Sequence, residues 1–245
     1  MIRAVTVDFW GTLVFDPPSG DERYKQKRLA DFESILRGEG VEVSRRVLDR
    51  AYEEAVRRLG QIWLSYKDIP VQQHVLTLLE AVDPKLPKRL GPEGMSMLVH
   101  AYANPALLVP PTPDQSAKAA LTALAAQGMI LCVVSNIMRT PGFVLRKVLG
   151  GYGLLAPFKL LTFSDECGIR KPAPEIFHLT LRQVGVVPEE AVHVGDDPVL
   201  DVQGARGAGM RVIHVTSDRG ATLSPKPDAT IRRLGDLPAA LSLLQ

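Results

Sequence analysis

The sequence predicts a doubly wound parallel α/β sheet interrupted by an all-helical insertion. From residue 112 onward, short β-branched apolar runs alternate with segments of helical period, the signature of βαβ units. Between two proline clusters, at Pro17-Pro18 and at Pro105, Pro110, Pro111 and Pro113, the apolar spacing is helical and no strand signal intervenes. The 245 residues are enough for one medium domain carrying a smaller one. The expected division is a core of residues 1–16 and 111–245 with a helical cap of residues 17–110, joined by two linkers that act as a hinge.

Ile2 to Phe9 (IRAVTVDF) reads as a buried strand that runs into a turn at Gly11-Thr12. In the insertion, Leu29, Phe32, Ile35 and Leu36 line one helical face, and Val47, Leu48, Ala51, Ala55, Leu59 and Ile62 the next. Val75, Leu76, Leu79 and Val82 follow. Thr112-Pro113 reads as an N-cap with proline at the first helical position, and Gly128 ends that helix. Met129 to Val134 is then a buried strand. The cycle repeats with a helix over Pro141–Leu149, a strand over Lys159–Phe163, a helix from Pro174, a strand over Ala191–Val194, a helix from Pro198 and a strand over Arg211–Val215.

Composition narrows the function. Apolar residues at 46% and charged residues at 23% describe a globular chain, and Lys+Arg 29 against Asp+Glu 27 leaves +2. That balance lacks the broad positive field of nucleic-acid binding. No apolar run approaches the roughly 20 residues of a membrane span, and Asp8 interrupts any signal-peptide core. Cys132 and Cys167 form no metal or disulfide pattern, so a cytoplasmic protein is expected, a monomer or homodimer.

In open α/β sheets ligands bind beyond the carboxyl ends of the strands. Here those ends carry Asp8, Ser135-Asn136, the loop to Lys171, and Gly195-Asp196-Asp197 with Asp201 beyond. Singly, Asp197 before Pro198 is a good helix N-cap, and Lys171 before Pro172 a solvated charge. Together, Asp8, Asp196, Asp197 and Asp201 converge on one sheet edge. Two carboxylates at about 4 Å repel by roughly 4 kcal/mol at an effective dielectric of 20, so the cluster calls for a cation. Oxygen ligands select a hard divalent ion such as Mg²⁺. Lys171 and the helix from Pro174 add positive charge, so an anion, a phosphate, is expected between metal and lysine.

The order of these parts resembles the haloacid dehalogenase-like hydrolase superfamily, which is mostly phosphatases on a Rossmann-like core. The resemblance rests on DFWGT at Asp8–Thr12, VVSN at Val133–Asn136, RKPAPEIF at Arg170–Phe177, and VGDDPVLDVQGARGAGM at Val194–Met210. It implies that Asp8 attacks phosphorus and forms an aspartyl-phosphate. It implies metal ligation by the Asp8 carboxylate, the Trp10 carbonyl and Asp196, with Asp197 or Asp201 acting directly or through water. It places Trp10, Gly11, Thr12, Ser135, Asn136 and Lys171 around a small phosphorylated metabolite, with Asp201 orienting Lys171 and Thr12 supporting the turn and the Asp8 carboxylate.

Trp10 departs from the pattern. Typical phosphatases of the superfamily carry a second aspartate there, which protonates the leaving group and later activates water. An indole N–H cannot exchange a proton near neutral pH, and general acid–base catalysis is typically worth roughly 10²- to 10⁴-fold. The superfamily's 2-haloacid dehalogenases carry a tyrosine at this place, which makes dehalogenation the alternative chemistry, and a weak enzyme acting as a binding protein is a third reading. The acidic fourth motif favours metal and phosphate. The arginine that dehalogenases use for the substrate carboxylate is not identifiable; Arg37, Arg45, Arg46, Arg50, Arg57 and Arg58 read as solvated helix faces. His193 reads as a satisfied core residue, Cys132 as an inert core thiol, and Trp63 and Tyr66 as packing residues.

Overall fold

The computed structural model describes residues 1–216 and 224–244. In chain order the elements begin with β1 Ala4–Val7, β2 Val14–Phe15, α1 Gly20–Gly38, α2 Arg45–Leu64, α3 Val71–Val82, α4 Pro92–Ala103, α5 Pro105–Leu108 and β3 Thr112–Pro113. They continue with α6 Ala117–Ala126, β4 Ile130–Ser135, α7 Gly142–Gly151, β5 Phe158–Phe163, α8 Ser164–Cys167 and α9 Pro174–Val184. The last are β6 Ala191–Gly195, α10 Gly204–Gly207, β7 Arg211–Val215, β8 Ala229–Ile231 and α11 Leu237–Ser242.

Six strands form one parallel sheet in the order β5-β4-β1-β6-β7-β8. β1 is central, and its last residue Val7 is in register with Val133 of β4 and Val194 of β6. Asp8, Asn136 and Asp196 therefore leave adjacent strands at the same sheet edge. Side chains alternate across the sheet. Val5 and Val7 enter a core shared with Leu121, Leu145, Leu149 and Leu237, while Ala4 enters one with Ile176, Phe177, Leu181 and Ala205. Each fully buried Leu or Phe contributes about 1.5–3 kcal/mol, which holds helices on both faces.

The insertion has its own core, built from Leu29, Phe32, Leu48, Val75, Leu79 and Leu98. Val144 of α7 joins that cluster, so the two cores meet across an apolar seam. The chain enters and leaves the insertion through a two-stranded antiparallel ribbon that pairs Val14 with Pro113 and Phe15 with Thr112.

The structure changes four readings. Thr112-Pro113 is a strand rather than a helix cap: it pairs with Val14-Phe15, and α6 starts at Ala117 after a turn in which Asp114 accepts from the Ser116 amide at 2.7 Å and the Leu234 amide at 3.0 Å. The first strand ends at Val7, since Phe9 turns back to accept from Leu13 and Val14. After Pro198 the chain makes a wide i to i+5 turn, with the Val202 amide on the Asp197 carbonyl at 3.2 Å, before α10. Finally, β8 adds a three-residue edge strand too short to announce itself in sequence.

Candidate active site

Asp8 follows β1, and its amide is held by the Val194 carbonyl at 2.9 Å. The next residues fold into a tight turn in which Gly11 takes φ of 74°, a backbone that favours glycine. A side chain at Gly11 would run into the Asp196 carboxylate, and one at Gly195 into Asp201. Both glycines thus keep room for a close approach of acids to the nucleophile strand.

Lys171 Nζ lies 2.7 Å from Asp8 Oδ1 and 2.6 Å from Asp201 Oδ1. Asp201 is fully buried and satisfied, accepting also from His193 at 2.8 Å and from the Asp197 amide at 2.9 Å. His193 spans Asp201 and Thr6 inside the sheet, as a core histidine should. Burial lowers the Lys171 pKa, but Asp201 and Asp8 outweigh it and hold the ammonium above its ordinary value. Burial likewise pushes Asp201 up, but Lys171 and His193 win and hold it ionised. Asp8 goes the other way: burial raises it, and Lys171 and Ser135 only partly compensate. Asp196 is pushed up to about 7 by burial and by the like charges of Asp8 and Asp201.

Asn136 bonds the Lys171 backbone on both sides, Nδ2 to the carbonyl at 2.9 Å and Oδ1 from the amide at 2.8 Å. With Asp8, Trp10, Gly11 and Lys171 it lines a cavity of about 410 Å³. Trp10 packs edge-on to Phe9, and its Nε1–H is buried with no hydrogen-bond acceptor among the described residues. Ser135 and Thr12 stand behind the cavity wall. The Ser135 hydroxyl is buried against the Asn136 carbonyl, and Thr12 donates to Asp196 at 3.4 Å rather than to Asp8. Asp197 lines the cavity, yet one carboxylate oxygen caps the following turn, accepting from Val199 and Leu200 at 2.7 and 2.8 Å. The first turn of α9 does not line the cavity, and the cation paired with Asp8 among the described residues is Lys171.

Arg28 of α1 also lines this cavity and was not singled out by the sequence. It is 1% exposed, stacked near Tyr24 and Tyr102, and donates to neutral acceptors, the Tyr102 and Arg139 carbonyls and the Tyr52 hydroxyl. Among the described residues no carboxylate lies within 4 Å of it. A signal existed: Tyr24, Arg28, Phe32 and Leu36 recur every fourth residue, so Arg28 falls on an apolar face. By contrast, Arg37, Arg45, Arg57 and Arg58 make surface ion pairs.

Asp8, Asp196 and Asp201 bring one carboxylate oxygen each within 4.8 Å of one another. The donor set fits a hard divalent cation: three carboxylates converge and share one lysine. Asp8 pairs with Lys171 through Oδ1 and Asp196 accepts only a long bond from Thr12, while Asp201 is committed to Lys171 and His193.

A family model described as haloacid dehalogenase-like hydrolase matches residues 2–209. The chain belongs to the haloacid dehalogenase-like hydrolases. It is an enzyme of the hydrolase class, and several of its named relatives are phosphatases. The phosphoserine phosphatase of Thermus thermophilus is 37% identical over 147 residues, 60% of this chain and 56% of that enzyme, so the chain spans little more than half of that relative's length. The glyceraldehyde 3-phosphate phosphatase of Methanopyrus kandleri is 29% identical over 242 residues, covering 93% and 90% of the two chains. Among solved structures, a 2-haloacid dehalogenase from Pseudomonas syringae superposes over the whole of both chains with a TM-score of 0.73 at 24% identity, a likeness of fold.

Proposed function

We propose that this haloacid dehalogenase-like hydrolase is a Mg²⁺-dependent phosphomonoesterase acting on a small phosphorylated metabolite. The observation that carries the reading is Lys171 Nζ at 2.7 Å from Asp8 Oδ1, with a third carboxylate, Asp196, gathered beside Asp8 and Asp201. An Asp8 oxygen attacks phosphorus, the P–O bond to the leaving group breaks, and water then attacks the aspartyl-phosphate at phosphorus to release phosphate and restore Asp8. Asp8 and Asp196, with the Trp10 carbonyl and Asp197, would hold Mg²⁺, which when bound would neutralise charge on the phosphoryl oxygens and keep Asp8 ionised. Lys171 neutralises what remains, and Asp201 holds Lys171 in place. Trp10 donates no proton, so the leaving group departs as its anion.

Arg28 supports a substrate with a second anionic group. A buried guanidinium without a carboxylate is costly, and a carboxylate or second phosphate on the substrate would relieve it. Phosphoserine, named for one relative, pairs a phosphate with a carboxylate. The two free cysteines are in keeping with a reducing cytoplasm.

Dehalogenation is the second reading, favoured by the Trp10 indole and by Arg28 as a partner for a haloacid carboxylate. In it Asp8 displaces halide at carbon. One experiment separates the readings: phosphate release from a phosphomonoester panel that includes an aryl phosphate, with Mg²⁺ and with chelator, against Asp8→Asn. Mg²⁺-dependent release lost in Asp8→Asn is expected. Metal-independent halide release from 2-haloacids without phosphate release would replace this reading, and neither activity would leave a binding protein.

A further inference from the structure

The insertion reaches the chemistry through a residue that the mechanism above does not use. Asp68, in the loop between α2 and α3, has a side chain with no exposed surface. Its Oδ1 accepts from Trp63 Nε1 at 3.0 Å and from the Ile69 amide at 2.9 Å, both within the insertion. Its Oδ2 accepts from two residues of the sheet domain, Ser164 Oγ and Arg170 Nη1, each at 2.5 Å. Among the described residues Asp68–Arg170 is the one buried ion pair that joins insertion to sheet domain; the Arg139–Asp21 pair involves an Asp21 that is 83% exposed.

Both partners lead to Lys171. Arg170 is its chain neighbour, stacks its guanidinium 4.4 Å from the Trp63 ring, and donates to the Ile137 carbonyl at 2.6 Å. Ser164 Oγ accepts from the Ile137 amide at 2.9 Å. Ile137 follows Asn136, which bonds the Lys171 backbone on both sides. The backbones are zipped as well. The Asp68 amide donates to Gly168 at 3.1 Å and the Arg170 amide to Tyr66 at 2.9 Å, an antiparallel bridge of Lys67 to Ile169. Tyr66 takes φ of 56°, which is unfavourable for a side chain of that size, and its ring is half exposed. Its backbone is bent for the bridge and not for its own packing.

We propose that Asp68 is a positioning residue: by gripping Arg170 and Ser164 it holds Lys171 and Asn136 at Asp8, so that seating the insertion and completing the phosphate site are one event. This rests on the phosphomonoesterase reading for its kinetic arm only. Asp68→Asn leaves Arg170 buried and unpaired, so the paired variant Asp68→Asn/Arg170→Met, which orphans no charge, is measured beside it. With an aryl phosphate, both are expected to lower kcat by about 10- to 100-fold while KM stays within about threefold, the mark of a displaced catalytic group rather than weakened binding.

Hydrogen exchange supplies an arm that needs no turnover. In the unmodified protein the Asp68, Arg170 and Lys171 amides should show protection matched within about threefold, as one opening event requires. In the variants the Lys171 amide should exchange at least about tenfold faster while β1 and β6 are unchanged. A folded paired variant with kcat within about twofold of the parent overturns the proposal, as does Lys171 protection that persists while Asp68 and Arg170 exchange. If the unmodified protein releases no phosphate, the phosphomonoesterase reading fails, and exchange alone decides the role of Asp68.

Discussion

In the phosphomonoesterase reading, Trp10 would set which leaving groups Asp8 can expel. With an indole where an acid would stand, the rate should depend steeply on leaving-group basicity. Trp10→Asp is expected to raise turnover of alkyl phosphates by up to about 10²-fold and to change aryl phosphates much less, read as a flatter plot of log kcat/KM against leaving-group pKa. Legibility at this scale followed the main chain. The places of Asp8, Asn136, Lys171 and Asp196 around one cavity were readable because they follow from strand ends. The places of Arg28 and Asp68 were not, because they depend on what lies across a cavity or a seam. Asp197 is instructive: its helix-capping reading is what the hydrogen bonds display, and a ligand role has to share the carboxylate with that cap. Asp197→Ala should cost about 1 kcal/mol in a denaturant titration through the lost cap alone.

Among the elements, α1 contributes Arg28 to the wall of the cavity in front of Asp8. Arg28→Met keeps the helix and the aliphatic stem but removes the charge. It is expected to raise KM by about 10- to 100-fold for a phosphomonoester bearing a carboxylate, and to leave KM for an uncharged aryl phosphate within about threefold. Equal losses on both substrates would sink the second-anion role. The parallel strands were legible as continuous apolar runs, since both faces are buried. Elements fixed by side-chain bonds were not. The turn held by the Asp114 side chain moved the start of α6 from Pro113 to Ala117, and the wide turn after Pro198 replaced a regular helix, bringing Asp201 under Lys171.

For the whole molecule, charge at the sheet edge couples folding to metal and pH. Asp196 has its pKa raised to about 7 from the model-peptide value of 3.8, so in the metal-free protein its contribution is fully present below pH 3.8 and is lost as pH rises through 7. A divalent cation held by Asp196, as proposed, would reverse that loss. The rise in Tm on adding Mg²⁺ should therefore be larger at pH 8 than at pH 5, measured by thermal unfolding in matched buffers. An equal rise at both pH values would count against Asp196 as a ligand. The division into sheet and helical insertion was legible from two proline clusters and a change of period. The seam between them was not, because Val144, Arg170 and Asp68 look ordinary until the chain brings them together.

The ribbon of Val14–Phe15 with Thr112–Pro113 has a consequence for descent as much as for motion. Because the excursion departs and returns at paired residues, it is a cassette: another segment whose ends meet at the same spacing can replace it without rethreading the sheet. The sheet domain keeps Asp8 and Lys171 through such an exchange, while the Arg28 wall of the cavity travels with the cassette. The loop between α2 and α3 and the seam at Arg139 and Val144 must be refitted, since the lysine loop and α7 are bolted to the excursion there.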